Sequence, residues 1–122
     1  VLFRSDTLIV SGRALDGLRE GGWLIVNSRK SPEELGVEGP FSVATADASH
    51  AASVAGLIVG GAPMVNTPML GAIARATGLI SMDDVRRGIE EAFPPTAARK
   101  NFEAARLTSE FTRCRLLEAA HG

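Results

Sequence analysis

The 122-residue chain contains one cysteine and two histidines, a scarcity that removes whole classes of chemistry. Cys114 alone excludes an internal disulfide and cannot by itself hold zinc or an iron–sulfur cluster. So little cysteine fits a reducing, cytoplasmic setting. His50 and His121 have no metal-ligand spacing to any other ligand, so no metal site is expected. The glycine-rich dinucleotide fingerprint, the P-loop, HExxH, CxxC and GxSxG are all absent, and no catalytic residue is nominated. The whole chain carries 13 Lys and Arg against 14 Asp and Glu, and through the C-terminal third the two signs are interleaved, which leaves no basic stripe for nucleic acid.

Charge is also missing from residues 48–74. A membrane-spanning helix needs roughly 20 apolar residues in one piece. Here Gly60-Gly61-Ala62-Pro63 and Asn66-Thr67-Pro68 cut the run into pieces too short to span, and His50 and Ser53 polarise the first. Buried helices or a subunit interface explain the run better.

What is present centres on residues 65–80. Thr67 suits an N-cap, Pro68 the first helical position and Gly78 the left-handed residue after the last turn. Arg75 is the only charge between these caps, so the helix is expected to be covered on most sides. Gly71, which costs about 1 kcal/mol relative to alanine in mid-helix, implies close approach of another backbone or a ligand.

Around this helix the chain alternates strand and helix. Residues 7–10 read as a strand, 13–20 as a short helix and 23–26, Trp-Leu-Ile-Val between glycines and Asn27-Ser28, as the clearest strand. Ser31, Pro32 and Gly36 bracket one or two helical turns. Residues 41–46 form a third strand, and Asp47 or Ser49 caps a helix over residues 50–59. Ser81 caps a helix with Met82, Val85, Ile89 and Phe93 as its apolar stripe. Pro94-Pro95 ends it. A last helix over 97–120 is expected to pack through Ala98, Phe102, Ala105, Phe111, Cys114 and Leu117. The pattern predicts an α/β fold: a three-layer Rossmann-like domain with a mainly parallel sheet, followed by a C-terminal helical segment.

The first five residues, Val1-Leu2-Phe3-Arg4-Ser5, coincide with one reading frame of a common short-read sequencing adapter. They are expected to be an artefact, with the domain proper over 6–112 and a helical tail over 113–122. A genomic read that carries these codons into a longer upstream frame would overturn this.

In an open parallel sheet ligands lie beyond the carboxyl ends of the strands, here Ser11-Gly12, Asn27-Ser28 and Asp47-Ala48-Ser49. The start of the central helix adds Asn66, Thr67 and free backbone N–H groups suited to an anion. Each of these residues taken singly is equally well read as a cap or a turn.

The run Asn66-Thr67-Pro68-Met69-Leu70-Gly71-Ala72 with Ala76-Thr77-Gly78-Leu79 resembles the NTxxLGAxxxATGL signature of the gamma subunit, or gamma domain, of pyruvate and related 2-oxoacid:ferredoxin (flavodoxin) oxidoreductases. Three further pieces agree in order. Gly17 to Ser28 is similar to that family's GLKxGGxLIVNS, Asp47-Ala48-Ser49 to its DAT, and Phe93-Pro94 with Lys100-Asn101 to its FP…KN. The family's N-terminal GxGGQG segment is not found, and the residues after Phe111 match nothing in it.

The resemblance implies a component of an enzyme complex that decarboxylates a 2-oxoacid oxidatively to an acyl-CoA and passes electrons to ferredoxin or flavodoxin. Alpha, beta and ferredoxin-like delta subunits are the implied partners, with thiamine diphosphate and the iron–sulfur clusters held by them; the isolated fragment is expected to be inactive. Coenzyme A is the candidate cofactor here, and Asn66 and Thr67, then Asn27 and Ser28, are the cofactor-binding positions the resemblance selects. Two alternatives stay open at this point: a non-catalytic α/β scaffold or small-molecule-binding module, and an indolepyruvate- or 2-oxoglutarate-type sibling.

Overall fold

The computed structural model describes the backbone of Leu2–Ser5 and residues 20–117. In chain order the elements begin with β1 (Leu2–Ser5), β2 (Trp23–Asn27), α1 (Pro32–Leu35), β3 (Ser42–Ala46) and α2 (Ala48–Val54). They continue with β4 (Ile58–Val59), β5 (Ala62–Pro63), α3 (Met69–Thr77), α4 (Met82–Ala92), α5 (Pro95–Phe111) and β6 (Arg113–Arg115). The class is α/β, as the alternation predicts. The strand expected at 7–10, residues 13–19 of the helix after it, and residues 118–122 with His121 lie outside the described residues.

The main sheet has the order β1-β2-β3-β6. β1, β2 and β3 are parallel, with Leu24 opposite Val43 and Ile25 opposite Ala44. β6 is antiparallel to β3. Every residue of β3 is buried, as expected for a strand covered on both faces. Alternate side chains divide between two clusters. Ile25, Ala44 and Ala46 face Met69 and Ala72 of α3, whereas Leu24, Val26 and Val43 face Val37, Phe41 and Leu35.

A second helical layer is built on α3. Ala74 packs with Val85 and Ile89 of α4 and with Ala98 and Ala105 of α5. At Gly71 the backbones of α3 and α5 come into direct contact: a Cβ there would run into the backbone carbonyl of Ala105. The mid-helix glycine thus answers to a neighbouring backbone. Gly78 ends α3 in the left-handed conformation, φ 66°, donating its N–H to the Ala74 carbonyl.

Local signals account for several elements. Ser31 and Glu34 exchange hydrogen bonds in a capping box at α1, and Ser81 and Asp84 do the same at α4. Asp47 caps α2 by accepting the His50 N–H at 3.0 Å.

Four expectations need correction. Thr67 does not cap α3: the N-cap is Pro68, already in helical conformation, and no side chain caps this end. The chain enters through a turn whose carbonyls, Val65 O and Thr67 O, take the first N–H groups directly. α2 stops at Val54 rather than 59, because Gly56 turns left-handed at φ 76° and Leu57 then drops into a core with Ala52 and Ala104. Residues 58–63 form a hairpin instead. The last helix begins at Pro95 and ends at Phe111, not 120. Its continuation is a strand, so Cys114 and Leu117 are exposed rather than packed, and the segment 113–115 of the expected helical tail is β6. Among the described residues no helix is long and apolar enough to cross a membrane.

Candidate functional site

The carboxyl ends of β2 and β3 meet through one side chain. Asn27 accepts the Ala48 N–H on Oδ1 at 3.0 Å and donates Nδ2 to Ser49 Oγ at 3.1 Å. Its carboxamide therefore staples the end of β2 to the start of α2. Ser28 is buried; its N–H reaches the Ala46 carbonyl at 3.0 Å and its Oγ accepts the Lys30 N–H at 3.0 Å. Both residues picked from sequence at this strand end are built into the ledge, and their geometry fixes what stands on it.

Asn66 and Thr67 occupy the turn immediately before α3. Val65 and Met69 on either side of them pack into the cluster that contains Ala46 and Ala48, so this turn is anchored on the junction of β3 and α2. Asn66 is exposed and Thr67 half-buried. Neither side chain makes a hydrogen bond among the described residues, in contrast to Asn27.

Beside the ledge lie two adjoining hollows of about 490 Å³ and 550 Å³ that share Arg29, Asp47 and His50. Ser49 and Ser53 line one, and Glu110, Phe111 and Arg113 the other. The His50 and Phe111 rings face each other with centroids 5.8 Å apart. The acids of this cleft are already engaged: Asp47 caps His50, and Glu110 holds Arg106 at 2.6 Å. Arg113 donates one N–H to the Arg29 carbonyl at 3.0 Å, and the Arg29 guanidinium makes no ion pair or hydrogen bond among the described residues. Two guanidinium groups beside an aromatic pair form a cleft suited to an anionic, ring-bearing molecule.

Sequence reading did not find Arg29, His50 or Arg113. Arg29 and His50 each sit two or three residues beyond a marked strand end, which was the available signal. Arg113 arrives from a distant segment, and only the pairing of β6 with β3 brings it here. Cys114, read as a buried helical thiol, is on the exposed strand; partial desolvation raises its thiol pKa, and the Arg75 charge offsets part of that rise.

These features place a candidate ligand cleft at the carboxyl ends of the parallel strands β2 and β3 of an α/β domain; Asn66 and Thr67 are not among the residues that line it. The sequence profile of the pyruvate ferredoxin/flavodoxin oxidoreductase family matches residues 2–111, and the chain belongs to that family. It is 38% identical over 99 residues to the pyruvate/ketoisovalerate oxidoreductases common subunit gamma of Thermococcus litoralis, covering 79% of this chain and 51% of the relative. It is 43% identical over 94 residues to pyruvate synthase subunit PorC of Methanothermobacter thermautotrophicus, covering 77% and 48%. The crystal structure of pyruvate oxidoreductase subunit PORC from Thermotoga maritima superposes with a TM-score of 0.73 at 29% identity, covering 92% of this chain and 64% of that one. The chain spans about half the length of the curated relatives it matches.

Proposed function

We propose that this chain is part of the gamma component of a 2-oxoacid:ferredoxin oxidoreductase and supports the oxidative decarboxylation of pyruvate or a related 2-oxoacid to its acyl-CoA. Family membership and the gamma-type relatives support the placement. Thiamine diphosphate and iron–sulfur chemistry belong, in this reading, to the companion alpha, beta and delta subunits, with ferredoxin or flavodoxin as acceptor.

The chain's own task is to hold coenzyme A, which supplies the thiol that accepts the acyl group. The observation that carries this is the contrast between Asn66, exposed with its carboxamide uncommitted, and the fully engaged Asn27 beneath the same junction. Asn66 and Thr67 supply hydrogen-bonding groups to the coenzyme. Arg29 and Arg113 supply charge for its phosphates, and the His50–Phe111 pair a face for its ring. Asn27 and Ser28 set the shape of the ledge and so position these groups.

Asn66→Ala in the assembled complex tests the assignment. Losing a hydrogen bond worth about 1 kcal/mol raises the KM for coenzyme A roughly fivefold to tenfold, with the KM for the 2-oxoacid unchanged. An unaltered coenzyme A dependence removes Asn66 from the site.

A further inference from the structure

β6 is held by more than its ladder. Residues directly opposite each other in an antiparallel pair share a face, so Arg113, opposite Thr45, and Arg115, opposite Val43, both lie on the α1 side of the sheet. There each donates to a backbone carbonyl: Arg113 Nη2 to Arg29 O at 3.0 Å and Arg115 Nη2 to Val37 O at 2.7 Å. Arg29 follows β2 and Val37 follows α1, so the two arginines clip the β2–β3 connection at two points, one on either side of α1. The Leu117 N–H adds a third tie, to Ser42 Oγ at 2.8 Å.

The two arginine clips differ in what surrounds them. Arg113 and Arg29 both line the cleft, and the carbonyl takes only one of the five guanidinium N–H groups of Arg113, which leaves donors for a ligand. Closing this clip brings two cations into a cleft whose acids, Asp47 and Glu110, are engaged elsewhere, and like charges held together oppose closure. Arg115 stands outside the cleft, in a hollow with Glu38, Phe41 and Leu117 that contains no second cation. Its clip therefore supplies hold without repulsion. The ladder itself is only three residues long, so β6 opens as a local event while the rest of the sheet stays paired.

We propose that Arg115 is a positioning residue for the cleft: by tying β6 to the connection around α1, it holds the Arg113 and Arg29 guanidiniums at the spacing that receives a phosphate-bearing ligand, and it does so without touching that ligand. This rests on the coenzyme A reading of the cleft. The coupling is reciprocal. Docked β6 favours the anion, and the anion, by neutralising the two cations, favours docked β6.

The test uses the full chain and adenosine 3′,5′-bisphosphate, a thiol-free fragment of coenzyme A. Calorimetry gives its Kd, and amide hydrogen exchange follows residues 113–117. In the wild type, the probe at ten times its Kd slows exchange of this segment about tenfold, because an opening that discards the ligand becomes rarer by that factor. Arg115→Ala quickens exchange of the segment and raises the Kd roughly fivefold to tenfold, since the form that binds is no longer the dominant one. Arg115→Lys, which keeps a donor for Val37 O, stays within about twofold of the wild type. Arg99→Ala removes the same charge from an exposed position on α5 and leaves the Kd unchanged; the melting temperature of each variant confirms that it is folded. A purely structural tie would quicken exchange and leave the Kd alone, so an unchanged Kd in Arg115→Ala overturns the proposal and leaves the cleft reading standing. Binding to the wild type without slower exchange at 113–117 overturns it as well, with no variant needed. If the wild type does not bind the probe, the cleft reading itself fails and the proposal with it.

Discussion

Gly71 of α3 lies directly against the backbone carbonyl of Ala105 in α5, with no room for a single added carbon between them. The contact sets the distance between the two helices and hence the position of everything α3 carries, including the Asn66-Thr67 turn. Gly88 in α4 is the opposite case: helical, exposed, and with open space where a Cβ would go.

Alanine at these two glycines should therefore have opposite effects. Gly71→Ala forces the helices apart and costs about 1–3 kcal/mol or more, as overpacking of a close contact does. Gly88→Ala gains about 0.5–1 kcal/mol by restricting the unfolded chain. Urea unfolding of both variants checks the pair; equal midpoints would mean that the α3–α5 crossing is looser than described.

Removing the Asn27 carboxamide should be costlier than removing its hydroxyl partner. Asn27→Ala leaves the Ala48 N–H and Ser49 Oγ without their partner and destabilises the fold by about 1–3 kcal/mol. Ser49→Ala gives up one of the two bonds and loses roughly half as much. A denaturant series comparing both single variants with the double variant settles it, since coupled residues give a double-mutant loss smaller than the sum.

The two capping boxes give the domain an acid-sensitive component. Hydrogen bonds from Ser31 hold the Glu34 carboxyl below its usual pKa, and those from Ser81 do the same for Asp84. A carboxylate whose folded pKa is depressed stabilises the fold above its unfolded pKa and loses that contribution as pH falls through the folded value. For Asp84 the loss therefore begins near the ordinary value of 3.8 and continues below it. Melting temperatures measured from pH 6 to pH 2.5 should fall less steeply for Asp84→Ala than for the wild type, and parallel curves would remove the linkage. Both carboxylates are fully exposed, so the effect is small and weakens with salt.

Elements whose start and stop are written in adjacent residues were legible in the sequence. Trp23 to Val26 between glycines and Asn27 became β2, Ser31 to Gly36 became α1, and Ser81 with Asp84 opened α4. The convergence of Asn27 and Asp47-Ala48-Ser49 also followed from where parallel strands end. What escaped was decided elsewhere in the fold. Ile58-Val59 continues an apolar pattern that helix and strand share, and the turn at Gly56 with the burial of Leu57 separates it from α2. Arg113-Cys114-Arg115 keeps the helical spacing of α5, but β3 offers it an open edge, so local periodicity yields to pairing. The Arg29–His50–Arg113 cleft exists only because of that pairing, and for that reason no short stretch of sequence displays it.

The pairing also bears on the order of events in folding. Thr45 and Arg113 are the most sequence-distant kind of neighbours in the sheet, and all of α2 to α5 lies between them. Closing so long a loop costs entropy that three residues of β-ladder recover slowly. β6 is thus expected to dock after the helices have packed, and to fray before they do. Every arriving molecule that uses Arg113 then meets a site completed by the last piece of the chain to settle.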